Sequence, residues 1–241
     1  SLPSRGLGDV YKRQISGLRI CKILLKQHSI NFTTEYEDGD TIVSPLIFSL
    51  EGKSHDILAT ERLLLNILSH LSGISTHTNK IVRIAKKVNP NVEILATRKT
   101  LPGLRDIEKR AVVHGGGATH RMRLDDAILI KDNHLKLSKN IKKSIEISRS
   151  KYPNLMVEVE ADNEQQAIEI AKNGADRVML DNFSPDEATA TIRKLREISD
   201  IEIEISGGVT IENIASYAKK ADFISLGLSL IHISEPTRRK R

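Results

Sequence analysis

Apolar residues in the second half of the chain form short runs that alternate with segments of helical spacing. Six β-branched runs follow Asn91, in the order VEILAT, AILIKD, MVEVEA, RVMLDN, IEIEIS and FISLGL. One of the helical segments between them opens with Ser184 as N-cap, Pro185 in the first turn and Glu187 as a capping-box glutamate. Alternating strands and helices predict βα units around a parallel sheet. Six units without a dinucleotide-binding glycine fingerprint favour a barrel over an open sheet.

The first part of the chain has a more mixed pattern. Residues 16–27 predict a short amphipathic helix, and residues 30–42 predict a strand followed by an Asp-Gly turn. Residues 61–74 carry apolar side chains at helical spacing, which predicts a helix with one buried face and Thr60 as its N-cap. Helical character is expected again over residues 79–88.

Composition narrows the class of protein. The chain has 241 residues, of which 39% are hydrophobic, so it can bury a sizeable core. Aromatic residues make up 3% and Trp is absent, which argues against stacking on single-stranded nucleic acid. A lone cysteine, Cys21, excludes an intramolecular disulfide framework and fits a cytoplasmic setting. No apolar run approaches the length of a membrane span, so we expect no membrane partner.

The excess positive charge lies mostly at the two ends. Residues 1–14 carry a net charge of +2 and residues 230–241 carry +3, which leaves +1 of the total of +6 for the rest. Neither end has clear periodicity, and both are expected to be non-native sequence outside the fold. A basic tail is able to bind nucleic acid, but a solvated end without a binding role is favoured, so we expect no nucleic-acid partner.

Every predicted strand ends in polar or small residues. These ends are Thr97-Arg98-Lys99, Lys131-Asp132-Asn133, Glu160, Asp181-Asn182, Ser206-Gly207-Gly208 and Gly227. In (β/α) barrels the carboxyl ends of the strands and the loops that follow them form the active-site face. We therefore expect these residues, which are distant along the chain, to meet at one mouth of the barrel.

The basic residues at this mouth suit a substrate that carries several negative charges. Arginine binds carboxylate or phosphate through two parallel hydrogen bonds, whereas lysine supplies a mobile point charge. The candidate cations are Arg98, Lys99, Arg121 and Lys131, with His120 as a further member.

The remaining residues of the mouth point to a metal ion and a phosphate. Glu160 and Asp181 end two neighbouring strands, where their carboxylates can hold Mg²⁺ together with water and substrate oxygens. Ser206, residues 207–208 and Gly227 end the last two strands, where backbone N–H groups can approach a phosphate closely.

Some charged residues also have ordinary structural interpretations. Glu158 and Glu160 alternate with valines, so both point the same way and would repel each other unless they are paired or bind a metal ion. The stretch 105–110 is expected to be a solvated helix face, formed by Arg105, Asp106, Glu108, Lys109 and Arg110. Three histidines lack metal-ligand spacing and are expected to be structural or exposed: His70, His77 and His114.

Residues 96–134, ATRKTLPGLRDIEKRAVVHGGGATHRMRLDDAILIKDNH, closely resemble the quinolinate phosphoribosyltransferase family. The segments ERLLLNILSHLSGIST, VEVEAD, VMLDNFSP, EISGGVTIENI and ISLG follow the order of that family, and the resemblance covers about residues 15–229. It implies an incomplete α/β barrel of about six or seven parallel strands with an N-terminal α/β sandwich domain. The implied reaction converts quinolinate and phosphoribosyl pyrophosphate, with Mg²⁺, into nicotinate mononucleotide, pyrophosphate and CO₂ in de novo NAD biosynthesis.

The resemblance also implies residues that bind the acceptor acid. Residues 97–99 match the family's substrate-binding strand end. His120, Arg121 and Lys131 match its quinolinate pocket. Arg62 matches an arginine that family members insert into the site of the neighbouring subunit, which implies a homodimer.

The donor side is implied in the same way. Glu160 and Asp181 match acidic residues around the ribose and Mg²⁺, while residues 206–208 and Gly227 match the 5′-phosphate cradle. The residues expected to take part in catalysis are Lys99, Lys131, Glu160 and Asp181.

The chain departs from the family pattern at both ends. Residues 1–14 replace a further N-terminal region, and LSLIHISEPTRRKR follows Gly227 where the family has a Thr-His-Ser segment, a strand and a helix. We expect residues 1–14 and 230–241 to be non-native ends, residues 15–75 to form a partial N-terminal domain with a linking helix, and residues 76–229 to form the barrel.

Three other functions remain open at this point. A Schiff-base aldolase would also place a lysine such as Lys131 at a strand end, but it would not need the arginines. A paralogous phosphoribosyltransferase-like protein associated with molybdenum transport shares much of the pattern. A chain that has lost its ends is also able to bind the substrate without turnover.

Overall fold

The computed structural model describes residues 13–138 and 140–227, so the two predicted non-native ends lie outside the described residues except for Arg13 and Gln14. These residues form two compact units, residues 13–80 with Thr100–Gly117, and Ile81–Lys99 with residues 118–227. The helices are α1 (Leu18–Gln27), α2 (Ser54–Val88), α3 (Arg105–His114), α4 (Asp132–Ser138), α5 (Ile141–Lys151), α6 (Glu164–Lys172), α7 (Pro185–Ile198) and α8 (Ile214–Ala218). The strands are β1 (Asn31–Thr33), β2 (Ser49–Glu51), β3 (Glu93–Ala96), β4 (Ala118–Thr119), β5 (Ile128–Ile130), β6 (Val157–Ala161), β7 (Arg177–Asp181), β8 (Glu202–Ser206) and β9 (Phe223–Leu226).

The first unit contains a small α/β layer. Strands β1 and β2 pair antiparallel, and Phe32 stacks on Phe48 at 5.2 Å between ring centroids. Helix α1 buries Leu18, Cys21 and Leu25 in the same core. The helix predicted over residues 16–27 and the strand predicted after it are therefore confirmed, as is a separate α/β layer before the barrel.

The prediction that Thr60 caps a helix is wrong. Helix α2 begins at Ser54 and continues without a break to Val88, so the two helical segments predicted separately are one helix. The Thr60 hydroxyl donates to the backbone carbonyl of Asp56 at 2.9 Å and to that of Ile57 at 3.2 Å. A threonine inside a helix can bond back to the preceding turn in this way, so a favourable capping residue does not by itself mark a helix end.

The prediction of a solvated face on α3 is wrong for two of its five residues. Glu108 and Lys109 are buried, although the neighbouring Asp106 and Arg110 are exposed. The carboxylate of Glu108 lies 2.9 Å from Nε2 of His70, and its other oxygen accepts a hydrogen bond from the backbone N–H of Leu101 at 3.0 Å. These partners compensate the cost of burying the charge, and they give His70 the structural role that was expected.

The end of α3 explains the first glycine of the Gly115–Gly117 run. A Cβ atom at Gly115 would overlap the backbone carbonyl oxygen of Ser75 and lie 2.7 Å from Cβ of Thr78. Beside it, Nδ1 of His114 lies 2.8 Å from the Ser16 hydroxyl. Gly115 is therefore required by the close approach of two backbone segments.

The second unit is a curled half-barrel of seven parallel strands. The strand order is β4-β3-β9-β8-β7-β6-β5, and every ladder in this sheet is parallel. The prediction of an incomplete α/β barrel with six or seven strands is confirmed. The two-residue strand β4 was missed, because it lies between a glycine run and a charged loop and shows no β-branched pattern.

The two faces of this sheet differ in chemistry. On β6, β7 and β8 one set of alternate positions is apolar and packs beneath helices, as Val159, Val178 and Ile203 do. The other set holds charged side chains, and the register places Glu158 beside Arg177 and Arg177 beside Glu202. Because successive side chains point to opposite faces, the charged set lines the inner face of the half-barrel. None of the described helices is both long enough and apolar enough to cross a membrane.

The last long helix confirms its predicted start. The Ser184 hydroxyl accepts a hydrogen bond from the backbone N–H of Glu187, and the Glu187 carboxylate accepts one from the backbone N–H of Ser184 at 3.0 Å. Pro185 occupies the first helical turn. This capping box fixes α7 directly after the end of β7.

Candidate active site at the carboxyl ends of the strands

The predicted site residues of the second unit lie along one edge of the sheet. The register pairs Asp181 with Ser206, and Thr97 donates its backbone N–H to the carbonyl of Leu226 at 3.5 Å. Each of these residues lies in the last two positions of its strand or directly follows it, so the carboxyl ends of the parallel strands bring them together. We call this set the strand-end site, and it comprises Thr97, Lys131, Glu160, Asp181, Ser206 and Gly227.

An ion pair joins the acidic and basic parts of the strand-end site. Nζ of Lys131 lies 3.5 Å from Oε1 of Glu160, and the other oxygen of Glu160 accepts a hydrogen bond from the backbone N–H of Asp132 at 3.3 Å. Glu160 is 7% exposed. Lys131 therefore supplies the partner that a nearly buried carboxylate requires.

Asp181 points to the same inner face as Glu160 but lies two residues nearer the carboxyl end of its own strand. Glu160 is in register with Met179, and Asp181 follows two residues later on β7. The Asp181 carboxylate accepts a hydrogen bond from Nδ2 of Asn182 at 2.6 Å and is half-buried. Two carboxylates on adjacent strands, one of them open to solvent, are a donor set that suits Mg²⁺, which prefers oxygen ligands and retains several waters.

Two arginines face each other beside the first strands of the sheet. Burial lowers the pKa of Arg121, and the positive charge of Arg98 lowers it further. The Arg121 guanidinium donates from Nη1 to the carbonyl of Ala127 at 3.1 Å. Two half-buried guanidinium groups that repel each other are stabilised by an anion that binds both.

The glycines of the site have two different requirements. Gly207 and Gly208 have φ values of 82° and 63°, which residues with a Cβ rarely adopt. A Cβ atom at Gly207 would also overlap Oδ1 of Asn182, and one at Gly227 would lie 2.9 Å from Cδ of Lys99. Gly207 is therefore packed too closely against Asn182 for any larger residue, whereas at Gly227 the flexible side chain of Lys99 would have to move.

Asn182 was expected at the mouth of the barrel only as part of a strand end, and the structure gives it a specific role. It has φ of 58°, donates from its backbone N–H to the carbonyl of Ser206 at 2.8 Å and orients the carboxylate of Asp181. Its sequence signal was the asparagine directly after a strand end, because asparagine tolerates the left-handed conformation better than most residues.

A buried group of charged side chains lies on the inner face below this edge. Nε2 of His120 is 2.9 Å from Oε2 of Glu158 and 3.5 Å from Oε2 of Glu204. Nη1 of Arg177 lies 3.3 Å from the same oxygen of Glu204. Glu158 and Glu204 are each 0% exposed, and His120 and Arg177 are each 8% exposed. Only His120 had been selected as a site residue, although VEVEA and IEIEIS both carry charges at alternate strand positions.

The two carboxylates hold a proton on Nε2 of His120. Burial lowers the pKa of His120, whereas the hydrogen bonds with Glu158 and Glu204 raise it above its ordinary value, and the backbone N–H of Arg121, which points at Nδ1, opposes a second proton on the ring. Burial raises the pKa of Glu158 to about 7, against the hydrogen bond from His120. Burial also raises the pKa of Glu204, but the hydrogen bond and charge of His120, followed by a hydrogen bond with Ser225 and the charge of Arg177, bring it below the ordinary value.

Arg62 is the one predicted site residue that lies outside this unit. It is exposed on α2, within the first unit. Its expected role in the site of a second subunit stays a prediction.

A parallel half-barrel whose strand ends gather cations, two carboxylates and a glycine cradle defines an α/β-barrel enzyme that acts on anionic substrates. The chain belongs to the quinolinate phosphoribosyl transferase family: residues 12–72 match the family's N-terminal domain and residues 74–237 match its C-terminal domain.

Curated relatives and solved structures agree with this assignment. A probable nicotinate-nucleotide pyrophosphorylase [carboxylating] of Archaeoglobus fulgidus is 42% identical over 218 residues, which cover 88% of this chain and 84% of the relative. The nicotinate-nucleotide pyrophosphorylase [carboxylating] of Homo sapiens is 36% identical, over 76% of this chain and 62% of the relative. The structure of the nicotinate-nucleotide pyrophosphorylase from Francisella tularensis superposes with a TM-score of 0.86 at 34% identity, covering 92% of this chain and 80% of that one.

Proposed function

We propose that this chain transfers the phosphoribosyl group of phosphoribosyl pyrophosphate to quinolinate, with loss of CO₂, to give nicotinate mononucleotide in de novo NAD biosynthesis. One observation carries the proposal beyond family membership. Around the sheet, Arg121 and Arg98 follow β4 and β3, the glycine cradle follows β9 and β8, and the two carboxylates and Lys131 end β7, β6 and β5. This order of residues supports two kinds of anion site on one edge, with acidic groups beside them.

The acceptor side consists of the cations that follow β4, β3 and β5. Quinolinate carries two carboxylates, and the guanidinium groups of Arg98 and Arg121 bind such groups with paired hydrogen bonds. Lys131 adds a charge from the other end of the sheet. Fixing the acid in this way aims its ring nitrogen at the donor and reduces the entropy that the reaction must lose.

The donor side consists of the glycine cradle, which is formed by residues 206–208 and Gly227, together with Lys99, Glu160 and Asp181. The Ser206 hydroxyl and the backbone N–H groups of residues 207–208 and Gly227 receive the 5′-phosphate. Lys99, whose side chain passes over Gly227, interacts with the pyrophosphate. Mg²⁺ held by Glu160 and Asp181, with water and substrate oxygens completing its shell, would neutralise charge on the departing pyrophosphate.

The chemistry follows from these positions. As the bond from C1′ to pyrophosphate breaks, positive charge develops on the ribose, and the carboxylates of Glu160 and Asp181 stabilise it electrostatically. The ring nitrogen of quinolinate attacks C1′ and becomes positively charged. That charge stabilises the electrons left behind when the 2-carboxylate departs as CO₂, and the ring carbon then takes up a proton from water. No covalent bond to the protein is required, so Lys131 acts through its charge and an aldolase-type Schiff base is not proposed.

The proposed active form is a homodimer in the cytoplasm. Arg62 is exposed and would complete the acceptor pocket of the second subunit with a further guanidinium group. Mixing Arg62→Ala subunits with Lys131→Ala subunits tests this point. If Arg62 reaches into the neighbouring site, each mixed dimer contains one site with both native residues, so the mixture recovers activity that neither variant has alone.

Turnover of quinolinate with phosphoribosyl pyrophosphate and Mg²⁺ tests the function, with nicotinate mononucleotide as the measured product. Release of one CO₂ and one pyrophosphate for each product molecule is expected. Quinolinate binding by a folded dimer that forms no product would favour a protein that only binds the acid. Turnover of a different acid in its place would favour the molybdenum-associated paralogue.

A further inference from the structure

We propose that the buried residues Glu158 and Glu204 position Arg121 for quinolinate, acting through His120. We call His120, Glu158, Arg177 and Glu204 the inner charge network. The proposal rests on the proposed function only in taking Arg121 as a quinolinate ligand, while the contacts that carry it lie within the protein.

The network connects strands that no backbone ladder joins. His120 directly follows β4, one end strand of the sheet, whereas Glu158 lies on β6, next to the opposite end strand β5. Among the described residues β4 and β5 do not pair with each other. The 2.9 Å hydrogen bond between His120 and Glu158 therefore spans the inner face and fixes the loop after β4 to the far side of the sheet.

Both ring nitrogens of His120 are used inside the protein. Nε2 faces the two carboxylates and carries the proton that they bind. Nδ1 accepts a hydrogen bond from the backbone N–H of Arg121 at 2.8 Å. An N–H can donate only to the lone pair of an unprotonated nitrogen, so this bond opposes the second proton that the two carboxylates favour and keeps the ring neutral, with its one proton on Nε2. The two carboxylates select that form, and through it they fix the main chain of Arg121.

Arg121 is thus held at two points. Its backbone is fixed by Nδ1 of His120, and its guanidinium is fixed by the carbonyl of Ala127, which directly precedes β5. A guanidinium close to Arg98 would otherwise move away from that charge. Holding it in place before the substrate arrives leaves less reorganisation for the binding step.

The inner charge network contributes less to the stability of the fold than apolar side chains at the same positions would. Glu158 has one oxygen, Oε1, that is buried and makes no hydrogen bond within the described residues. Buried charges with incomplete partners usually stabilise a protein less than well-packed apolar residues would. Nor does the group need a metal ion, because Arg177 already provides a cation 3.3 Å from Glu204. Its placement across three strands and the loop after β4 fits a positioning role.

The test compares Glu158→Leu with Glu158→Gln. Leucine removes the acceptor for Nε2–H, whereas the glutamine carbonyl can still accept that bond. We expect Glu158→Leu to raise KM for quinolinate by about tenfold or more, with KM for phosphoribosyl pyrophosphate unchanged and kcat little altered. Glu158→Gln should restore most of the affinity. Glu204→Gln serves as a second variant at the same ring nitrogen, and Glu202→Gln is the matched control, since Glu202 contacts Arg177 and is 49% exposed.

Two outcomes would overturn the proposal. One is an equal rise of both KM values in a folded Glu158→Leu protein. The other is an unchanged nitrogen NMR spectrum of His120 and an unchanged amide signal of Arg121 in the free variant, where the proposal predicts that both signals shift. The NMR measurement needs no substrate, so it decides the network even if wild-type protein does not turn over quinolinate.

Discussion

Lys131 and Glu160 form an ion pair at the ends of two neighbouring strands, with 3.5 Å between Nζ and Oε1. The lysine follows β5 and the glutamate lies on β6, so the pair spans the boundary between the acceptor cations and the carboxylates of the donor side. Because Glu160 is nearly buried, the pair holds both side chains in place before any substrate binds.

Replacing Lys131 by Met should lower kcat more than it raises either KM. In the proposed reaction the charge of Lys131 lies beside the acid and stabilises the electrons that remain as CO₂ departs, and loss of such a stabilising group lowers kcat by about 10²-fold or more. Steady-state kinetics with both substrates measures the effect. Lys136→Met is the control, since Lys136 is exposed and pairs with Asp132 instead. Equal losses in the two variants would remove Lys131 from the reaction.

Arg121→Ala should weaken binding of quinolinate more than that of phosphoribosyl pyrophosphate. A hydrogen bond to a charged group contributes about 1.5–3 kcal/mol, so KM for quinolinate should rise by about tenfold to a hundredfold. Titration calorimetry with each substrate separately measures the division. The exposed neighbour Arg123, changed to Ala, should leave both affinities intact. If both substrates weakened equally in Arg121→Ala, Arg121 would not be specific to the acceptor.

Asp181→Asn should increase the Mg²⁺ concentration needed for half-maximal turnover. The amide keeps the size and the hydrogen-bonding shape of the side chain but loses the negative charge that a hard cation prefers. Activity measured across a Mg²⁺ titration reports this, with the exposed Asp162→Asn as control. An unchanged Mg²⁺ response in Asp181→Asn would place the metal ion elsewhere.

Sequence pattern predicted the edge of the sheet well because strand ends carry local signals. Glu160, Asp181 and Ser206 each follow a β-branched run, and parallel strands bring such ends to one edge whatever the lengths of the connections. The capping box at Ser184 was equally local. The features that the sequence pattern did not predict depend on tertiary contacts. The start of α2 was missed because Thr60 bonds back to its own helix, and β4 because two residues carry no periodicity.

The inner charge network is a part of the site that sequence pattern alone could not predict. Glu204 lies in a strand run whose alternating glutamates would equally suit a sheet with one solvated face. Only the strand order places it beside His120, and only the burial of both shows that the pair is internal. Charges at alternate positions of a strand in a predicted half-barrel therefore indicate an inner layer once the helices are assigned to the other face.

Gly207→Ala should destabilise the protein more than Gly208→Ala, although both glycines have positive φ. At Gly208 a Cβ atom meets no atom within 4 Å, so alanine there adds only the left-handed strain of roughly 1–2 kcal/mol. At Gly207 the Cβ atom would overlap Oδ1 of Asn182 and lie 2.7 Å from its Cγ, and overpacking of this kind adds about 1–3 kcal/mol. Chemical unfolding of the two variants measures the difference between these free energies.

A second change at Asn182 separates steric overlap from backbone strain. Asn182→Gly removes the side chain that the new Cβ would strike, and glycine adopts the φ of 58° without strain. In the double variant with Gly207→Ala, part of the lost stability should return, while the same change combined with Gly208→Ala should restore none of it. Catalytic activity should stay low in the first double variant, because the amide that orients Asp181 is gone. Equal recovery in both double variants would mean that Asn182 does not limit the space at Gly207.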